Sequence, residues 1–171
     1  MKERRQDTAR LAGRLALIGE DNPLSLDPEF ALYNYPPGCA GYRLRRILGL
    51  PQHQYLALHR INLCDGTWSN VRARERALEL LTPSAPWRVL VLLGRKVTET
   101  FVKVALDDVP LVPFASRACC PGMTLVSLPH PSGRNARSWS GQAPARARQI
   151  LRELVPELPW GSADALQEVP A

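Results

Sequence analysis

The sequence predicts an α/β fold, a three-layer sandwich in which helices cover both faces of a central parallel sheet of four strands. Short apolar runs alternate with amphipathic helical segments, the pattern that produces a parallel sheet with crossover helices. The run from Trp87 to Gly94 is almost continuously apolar, as expected of a strand covered on both faces. With 171 residues the chain is long enough for one core, so we expect one domain over 1–160 and a flexible tail over 161–171.

The first half of the chain supplies the first strand and three helical segments. A helical segment at 3–12 precedes a strand at 15–19, which is apolar and closed by a glycine. Residues 24–37 contain several prolines and aromatic residues, and an irregular loop of that length in a compact domain is usually functional. A helix at 39–49 carries leucines on one face and arginines on the other, and Pro51 opens a short helix that reaches residue 58.

The second half repeats the strand and helix alternation more regularly. A second strand at 60–64 is broken by Asp65-Gly66, and Ser69 or Asn70 then caps a helix. The third strand is the apolar run at 87–94. The remaining predicted elements are a helix at 95–105, a fourth strand at 124–128 that Pro129 and Pro131 end, and a helix at 144–155.

The charge of the chain favours a polyanionic partner. The sequence holds 22 Lys and Arg against 16 Asp and Glu, a net charge of +6, and most of the cations are arginines. Arginine forks onto phosphate better than lysine does, so nucleic acid is the first partner to consider.

Cysteine usage and hydropathy predict a reduced, cytoplasmic protein that does not enter membranes. The four cysteines show neither a CxxC pair nor zinc spacing, and two adjacent ones cannot easily share a disulfide. No apolar stretch approaches membrane length, and the N-terminus lacks a signal-peptide core. We expect a monomer without a metal or another cofactor. The cysteines are Cys39, Cys64, Cys119 and Cys120.

Polar side chains follow the first, second and fourth predicted strands. Because the carboxyl ends of parallel strands lie along one edge of a sheet, and open α/β sheets bind ligands there, we expect these residues to converge. Each residue taken alone is also explained as an ordinary turn, cap or loop residue. Together they are Glu20, Asp21 and Asn22 after the first strand, Asn62 at the end of the second, and residues 130–135 after the fourth.

These side chains suit hydrolysis of a bond whose transition state separates charge. Asp21 would orient a water molecule or stabilise a cation, and His130 would stabilise the anion that leaves. Asn62 offers a donor and an acceptor side by side, and because an amide can flip, it suits either a uracil-like or a cytosine-like edge. Ser132-Gly133 supplies backbone N–H groups that, with neighbouring arginines, could hold a phosphate.

With these motifs in place, the chain resembles the uracil-DNA glycosylase superfamily over most of its length. Gly19-Glu-Asp-Asn-Pro23 is similar to the first motif of the family, after the first strand, and His130-Pro-Ser-Gly-Arg134 to the second, after the last strand. Asn62 ends a middle strand where the family keeps an asparagine that reads the base. Tyr35-Pro-Pro-Gly38 resembles the segment that bears an aromatic residue stacking on the flipped base.

The resemblance implies a monofunctional DNA glycosylase that flips a nucleotide out of the duplex or binds it in a single strand, and hydrolyses the N-glycosidic bond without a cofactor. Asp21 matches the acid that orients the water, with Asn22 as the alternative if the register shifts by one. His130 matches the residue that hydrogen-bonds the departing pyrimidine, and Tyr35 the stacking ring. The DNA-binding residues implied are Ser132, Gly133, Arg134, Asn135 and Arg137, with Arg134 or Arg137 filling the gap in the base stack.

Three departures from the family pattern affect this interpretation. Uracil-specific relatives carry a tyrosine that closes the space beside pyrimidine C5, whereas that place falls on Pro23 or Leu24 here, so a larger 5-substituent would fit. No cysteine precedes the first motif, so no iron–sulfur cluster is expected. Three polar residues stand in succession at 20–22, which leaves the choice of catalytic acid open.

The expected substrate is therefore uracil or a 5-modified pyrimidine, including a bulky modified base such as those of phage DNA, which would give the protein a role in defence. Two other functions remain open. One is DNA binding by a scaffold that has lost its chemistry, and the other is a hydrolase or transferase reaction on free nucleotides, which the number of arginines disfavours.

Overall fold

A computed structural model describes residues 14–22 and 25–161, and its architecture is α/β around one mixed sheet. Five strands lie in the order β2-β1-β3-β5-β4, and all neighbouring pairs are parallel except β4 and β5. The strands are β1 (Leu15–Asn22), β2 (His59–Asp65), β3 (Val89–Leu93), β4 (Ala115–Cys120) and β5 (Met123–Leu128). The helices are α1 (Ala40–Leu48), α2 (Gln52–Ala57), α3 (Asn70–Leu80), α4 (Arg95–Ala105) and α5 (Ala143–Leu154), with 3₁₀ turns at Pro28–Phe30 and Gly133–Trp139.

Two apolar cores, one on each face of the sheet, hold the layers together. Alternate residues of β1 point to opposite faces, so that Leu15 and Leu17 pack with α1, α2 and α5 while Ala16 and Ile18 pack with α3 and α4. Every residue of β3 is buried. The burial on both faces explains why this strand reads as one apolar run in the sequence.

The prediction of four parallel strands was wrong in one respect: β4 is a fifth strand that pairs antiparallel with β5. It lies at the edge of the sheet, and its central residues, Ser116 to Ala118, are exposed. A strand in that position needs no apolar run, so the sequence at 115–120 carries no periodic signal and reads as loop.

Most other predicted boundaries are confirmed within one or two residues. Ser69 caps α3, its hydroxyl accepting from the backbone N–H of Arg72. β1 differs most, because it continues through residues 20–22 and pairs with β2 as far as Asn22 and Asp65. The polar residues of the first motif are thus held in a strand rather than in a turn. The helical segment predicted at 3–12 and the tail after 161 lie outside the described residues.

No helix in the described ranges is both long and apolar enough to cross a membrane.

Candidate active site

A cleft of about 1090 Å³ opens at the carboxyl edge of the parallel strands. It lies between the ends of β1, β2 and β5 and the loop that joins β1 to α1. Nine of the residues singled out in the sequence line it, which confirms that the strand ends converge. These are Glu20, Asp21, Asn22, Tyr35, Asn62, His130, Ser132, Gly133 and Arg134.

The other two predicted DNA-binding residues lie elsewhere on the 3₁₀ turn that follows. Asn135 lines a second cavity of about 750 Å³, which lies between α4 and residues 110–114 and shares His130 with the cleft. Arg137 is exposed and its carbonyl accepts from the Ser140 hydroxyl. The residues after β5 therefore line two different cavities, and His130 lines both.

Burial dominates the electrostatics of Asp21. Desolvation raises the pKa of its carboxyl above the usual value, and the neighbouring charge of Glu20 raises it further. Lys96, His130 and the backbone N–H of Trp68 act in the opposite direction with smaller effect. Asp21 is thus a carboxylate whose charged form is disfavoured, a property typical of groups that accept a proton during a reaction.

Lys96 is a residue of this site that sequence reasoning missed. Its ammonium group forms an ion pair with the carboxylate of Glu20 and lies 5.4 Å from the centre of the Trp68 ring. The hydrogen bond to Glu20 raises the pKa of Lys96. Lys96 follows β3, whose end reaches the same edge, but its contact with Glu20 depends on β3 lying beside β1, and the sequence does not encode that order locally.

Gly94 gives His130 the room that its position requires. A side chain at residue 94 would place its Cβ 3.0 Å from the Cβ of His130, and the backbone of Gly94 has φ +97°. His130 itself is half-buried, and the desolvation lowers the pKa of its imidazole, more than the nearby carboxylates Glu20 and Asp21 raise it. At neutral pH the neutral imidazole is therefore the favoured form.

Gly19 and Asn62 form a close-packed pair on adjacent strands. The two residues are register partners in the pairing of β1 and β2. A Cβ at position 19 would overlap the side-chain oxygen of Asn62 and would also crowd Leu32. The carboxamide of Asn62 thus lies across β1 in space that any larger residue at 19 would occupy.

The aromatic side of the cleft comes from the loop between β1 and α1. Tyr35 is 70% exposed at the rim, and Phe30 and Tyr33 meet edge to face with ring centroids 5.5 Å apart. Exposed aromatic rings beside a polar floor provide a surface on which a flat heterocycle can stack.

Side-chain hydrogen bonds from neighbouring elements hold this loop in place. The buried Tyr55 hydroxyl donates to the carbonyl of Leu32 at 2.8 Å, and Arg60 Nη1 donates to the carbonyl of Ala31 at 3.2 Å. Leu32 is buried with φ +48°, a left-handed conformation that is unfavourable for leucine. Asn22 Nδ2 donates to the Phe30 carbonyl at 3.4 Å, so the first motif also holds the loop.

Among residues 14–22 and 25–161, no group of three or more His, Cys, Asp or Glu side chains is placed to hold a metal ion.

No protein-family model matches the chain, and a search of curated proteins found no significant match.

Proposed function

We propose that the protein is a monofunctional DNA glycosylase that removes uracil or a 5-modified pyrimidine and leaves an abasic site. The observation that supports this most is the pairing, in one cleft, of a carboxylate with a raised pKa and a half-buried imidazole with a lowered pKa. The four parallel strands and the site at their carboxyl edge agree with what the resemblance to uracil-DNA glycosylases implies.

The contacts favour Asp21 over its two neighbours as the group that activates water. The carboxylate of Glu20 is engaged by Lys96. The amide of Asn22 donates to the Phe30 carbonyl and so supports the loop. Asp21 forms neither of these two contacts, and the pKa of its carboxyl is raised. We therefore assign Asp21 as the general base.

In the proposed reaction the water oxygen bonds to the sugar C1′ while the C1′–N bond to the base breaks. Asp21 accepts the proton of the water, and the bonding electron pair leaves with the base. Neutral His130 donates a hydrogen bond to a carbonyl oxygen of the departing base, where negative charge develops. Asn62 pairs with the edge of the base, and Tyr35 stacks on its face.

The substrate range follows from Pro23 and Leu24, which stand where uracil-specific relatives carry a tyrosine. Both lie outside the described residues. We propose that, because neither position is a tyrosine, a substituent at pyrimidine C5 is tolerated, so that a bulky modified base of phage DNA is accepted along with uracil.

An excision assay tests the proposal directly. Oligonucleotides that carry uracil or one of a series of 5-modified pyrimidines are incubated with the protein, and abasic sites are then cleaved with alkali. We expect strand cleavage for at least one base and none after Asp21→Asn. Absence of abasic product from every oligonucleotide would contradict glycosylase activity, and release of base from free nucleotides alone would show a nucleotide hydrolase instead.

A further inference from the structure

The acidic residues of this chain are unevenly distributed. Neither the stretch 30–64 nor the stretch 109–152 contains a single Asp or Glu. The first carries four arginines and the second six. The two stretches together supply every cleft-lining residue except those at positions 20–25. The parts of the cleft that these two stretches form therefore carry no carboxylate.

The two stretches meet in a groove of about 430 Å³ between α1 and the turn after β5. We call it the arginine groove. Its polar lining includes Tyr42, Arg43, Arg46 and Ser132. Ser132 also lines the main cleft, so the groove adjoins the proposed active site at this residue.

Arg43 lines this groove beside the turn at Gly133. Its Nε donates to the carbonyl of Gly38 at 2.8 Å, which fixes the side chain. Its Nη2 lies 3.2 Å from the point where a Cβ on Gly133 would stand, so the absence of a side chain at 133 lets the guanidinium approach this turn. A fixed guanidinium beside backbone N–H groups is a typical arrangement for binding a phosphate.

Arg46 follows one turn later on the same face of α1. Its Nη1 donates to the Tyr42 hydroxyl at 3.2 Å, and its guanidinium lies 5.9 Å from the centre of the Tyr42 ring. Both arginines are exposed, and within residues 14–22 and 25–161 neither forms an ion pair with a carboxylate. Side chains three residues apart on a helix are neighbours, about 5–6 Å apart at Cβ.

We propose that the arginine groove binds the backbone of the DNA strand next to the nucleotide held in the cleft, with Arg43 and Arg46 each contacting a phosphate. The identification of the polymer as DNA rests on the proposed function. The positive charge, the shared lining residue Ser132 and the hydrogen-bonded Arg43 side chain support the binding itself.

Binding of labelled oligonucleotides of ordinary sequence, single-stranded and duplex, tests this without any need for catalysis. Fluorescence anisotropy is measured over a range of salt concentrations for the wild type, Arg43→Gln/Arg46→Gln, and a control, Arg74→Gln/Lys103→Gln. The control removes the same charge from exposed positions on α3 and α4, which cover the opposite face of the sheet.

We expect the groove variant to bind single strands about tenfold more weakly at ~0.1 M salt, because each lost phosphate contact reduces the slope of log K against log salt by about 0.7. The control should change affinity less than about twofold. Equal loss in both variants, or no loss in either, would overturn the proposal.

A second variant separates charge from local structure. Arg43→Lys/Arg46→Lys keeps both charges and removes the guanidinium contacts to Gly38 and Tyr42. Recovery of most of the salt dependence would support phosphate binding, and affinity as low as in the glutamine variant would show that the loss came from a loosened loop. Selective loss of binding without any excision activity would leave the groove assigned and contradict the proposed function. Excision by the wild type, with binding and KM unchanged in the groove variant, would support the proposed function and contradict the assignment of the groove.

Discussion

The ends of β1 and β5 bring opposite chemistry to one cleft by the same physical means. Burial raises the pKa of Asp21 at the end of β1 and lowers the pKa of His130 after β5. In both cases desolvation disfavours the charged form, which is the anion for one group and the cation for the other. One end is thereby prepared to accept a proton, and the other to donate a hydrogen bond without carrying a charge.

The two ends also differ in how they are held. The carboxylates lie within a paired strand, and Glu20 is tied to Lys96 of the next strand's helix. His130 lies two residues beyond the end of β5 and depends on the space left by Gly94. The side chains at the end of β1 are thus held by a charge interaction, and His130 after β5 is held by packing. Substitutions should distinguish these two effects.

The largest effect should come from Asp21→Asn. The amide has nearly the same shape but cannot accept the proton of the attacking water, so we expect the single-turnover rate of excision to fall about 10³-fold or more. Glu20→Gln is the matched control and should lose far less. An equal loss of rate in the two variants would show that Glu20 and Asp21 together, rather than Asp21 alone, act as the general base.

His130→Asn should follow, with a loss of about 10²-fold in the rate of excision, because one hydrogen bond to the departing base is weakened or misplaced. Binding of DNA that contains a non-hydrolysable abasic analogue should change little. A large loss of that binding with an unaltered rate for bound substrate would give His130 a role in DNA binding instead.

Gly19→Ala should reduce excision about tenfold or more by displacing the Asn62 carboxamide, with a stability loss of about 1–3 kcal/mol from crowding. The measurement is a double-mutant cycle with Asn62→Ala. If Gly19 acts by leaving room for the amide, the double variant should be no slower than Asn62→Ala alone. If the losses of excision rate are instead additive in the double variant, Gly19→Ala acts by crowding Leu32 and the loop.

The smallest effect, a shift in pH dependence, is expected from Lys96→Gln. The proposed reaction needs an ionised Asp21 and a neutral His130, so kcat/KM should fall as pH decreases between the ordinary imidazole value of 6.5 and the ordinary carboxyl value of 3.8. Lys96 lowers both pKa values, so its removal should raise both and move this acid limb to higher pH. Lys103→Gln, at the far end of the same helix, should leave the limb in place.

The sequence predicted the elements of the site better than their surroundings. Strand ends in a parallel sheet share an edge whatever the details of packing, so Asp21, Asn62 and His130 could be placed together from hydropathy alone. The edge strand β4 could not be predicted, since it lies in solvent and needs no apolar periodicity.

Interactions between distant side chains were also invisible in the sequence. The ion pair between Lys96 and Glu20 depends on which strands are neighbours, and the order of strands is not encoded locally. The overlap between Gly19 and Asn62 depends on the register of β1 and β2. The first contact bears on the choice among residues 20–22, which the motif alone left open, and the second on the position of the Asn62 carboxamide.

The antiparallel strand β4 has a consequence for the behaviour of the protein at high concentration. Without it, β5 would present an apolar, unpaired backbone edge, the kind of surface that recruits strands from other molecules. β4 covers that edge with a short strand that carries exposed Arg117 and an irregularity between Ala118 and Cys120. A strand that contributes nothing to the cleft thus keeps the strand leading to His130 from pairing with its counterpart in a second copy.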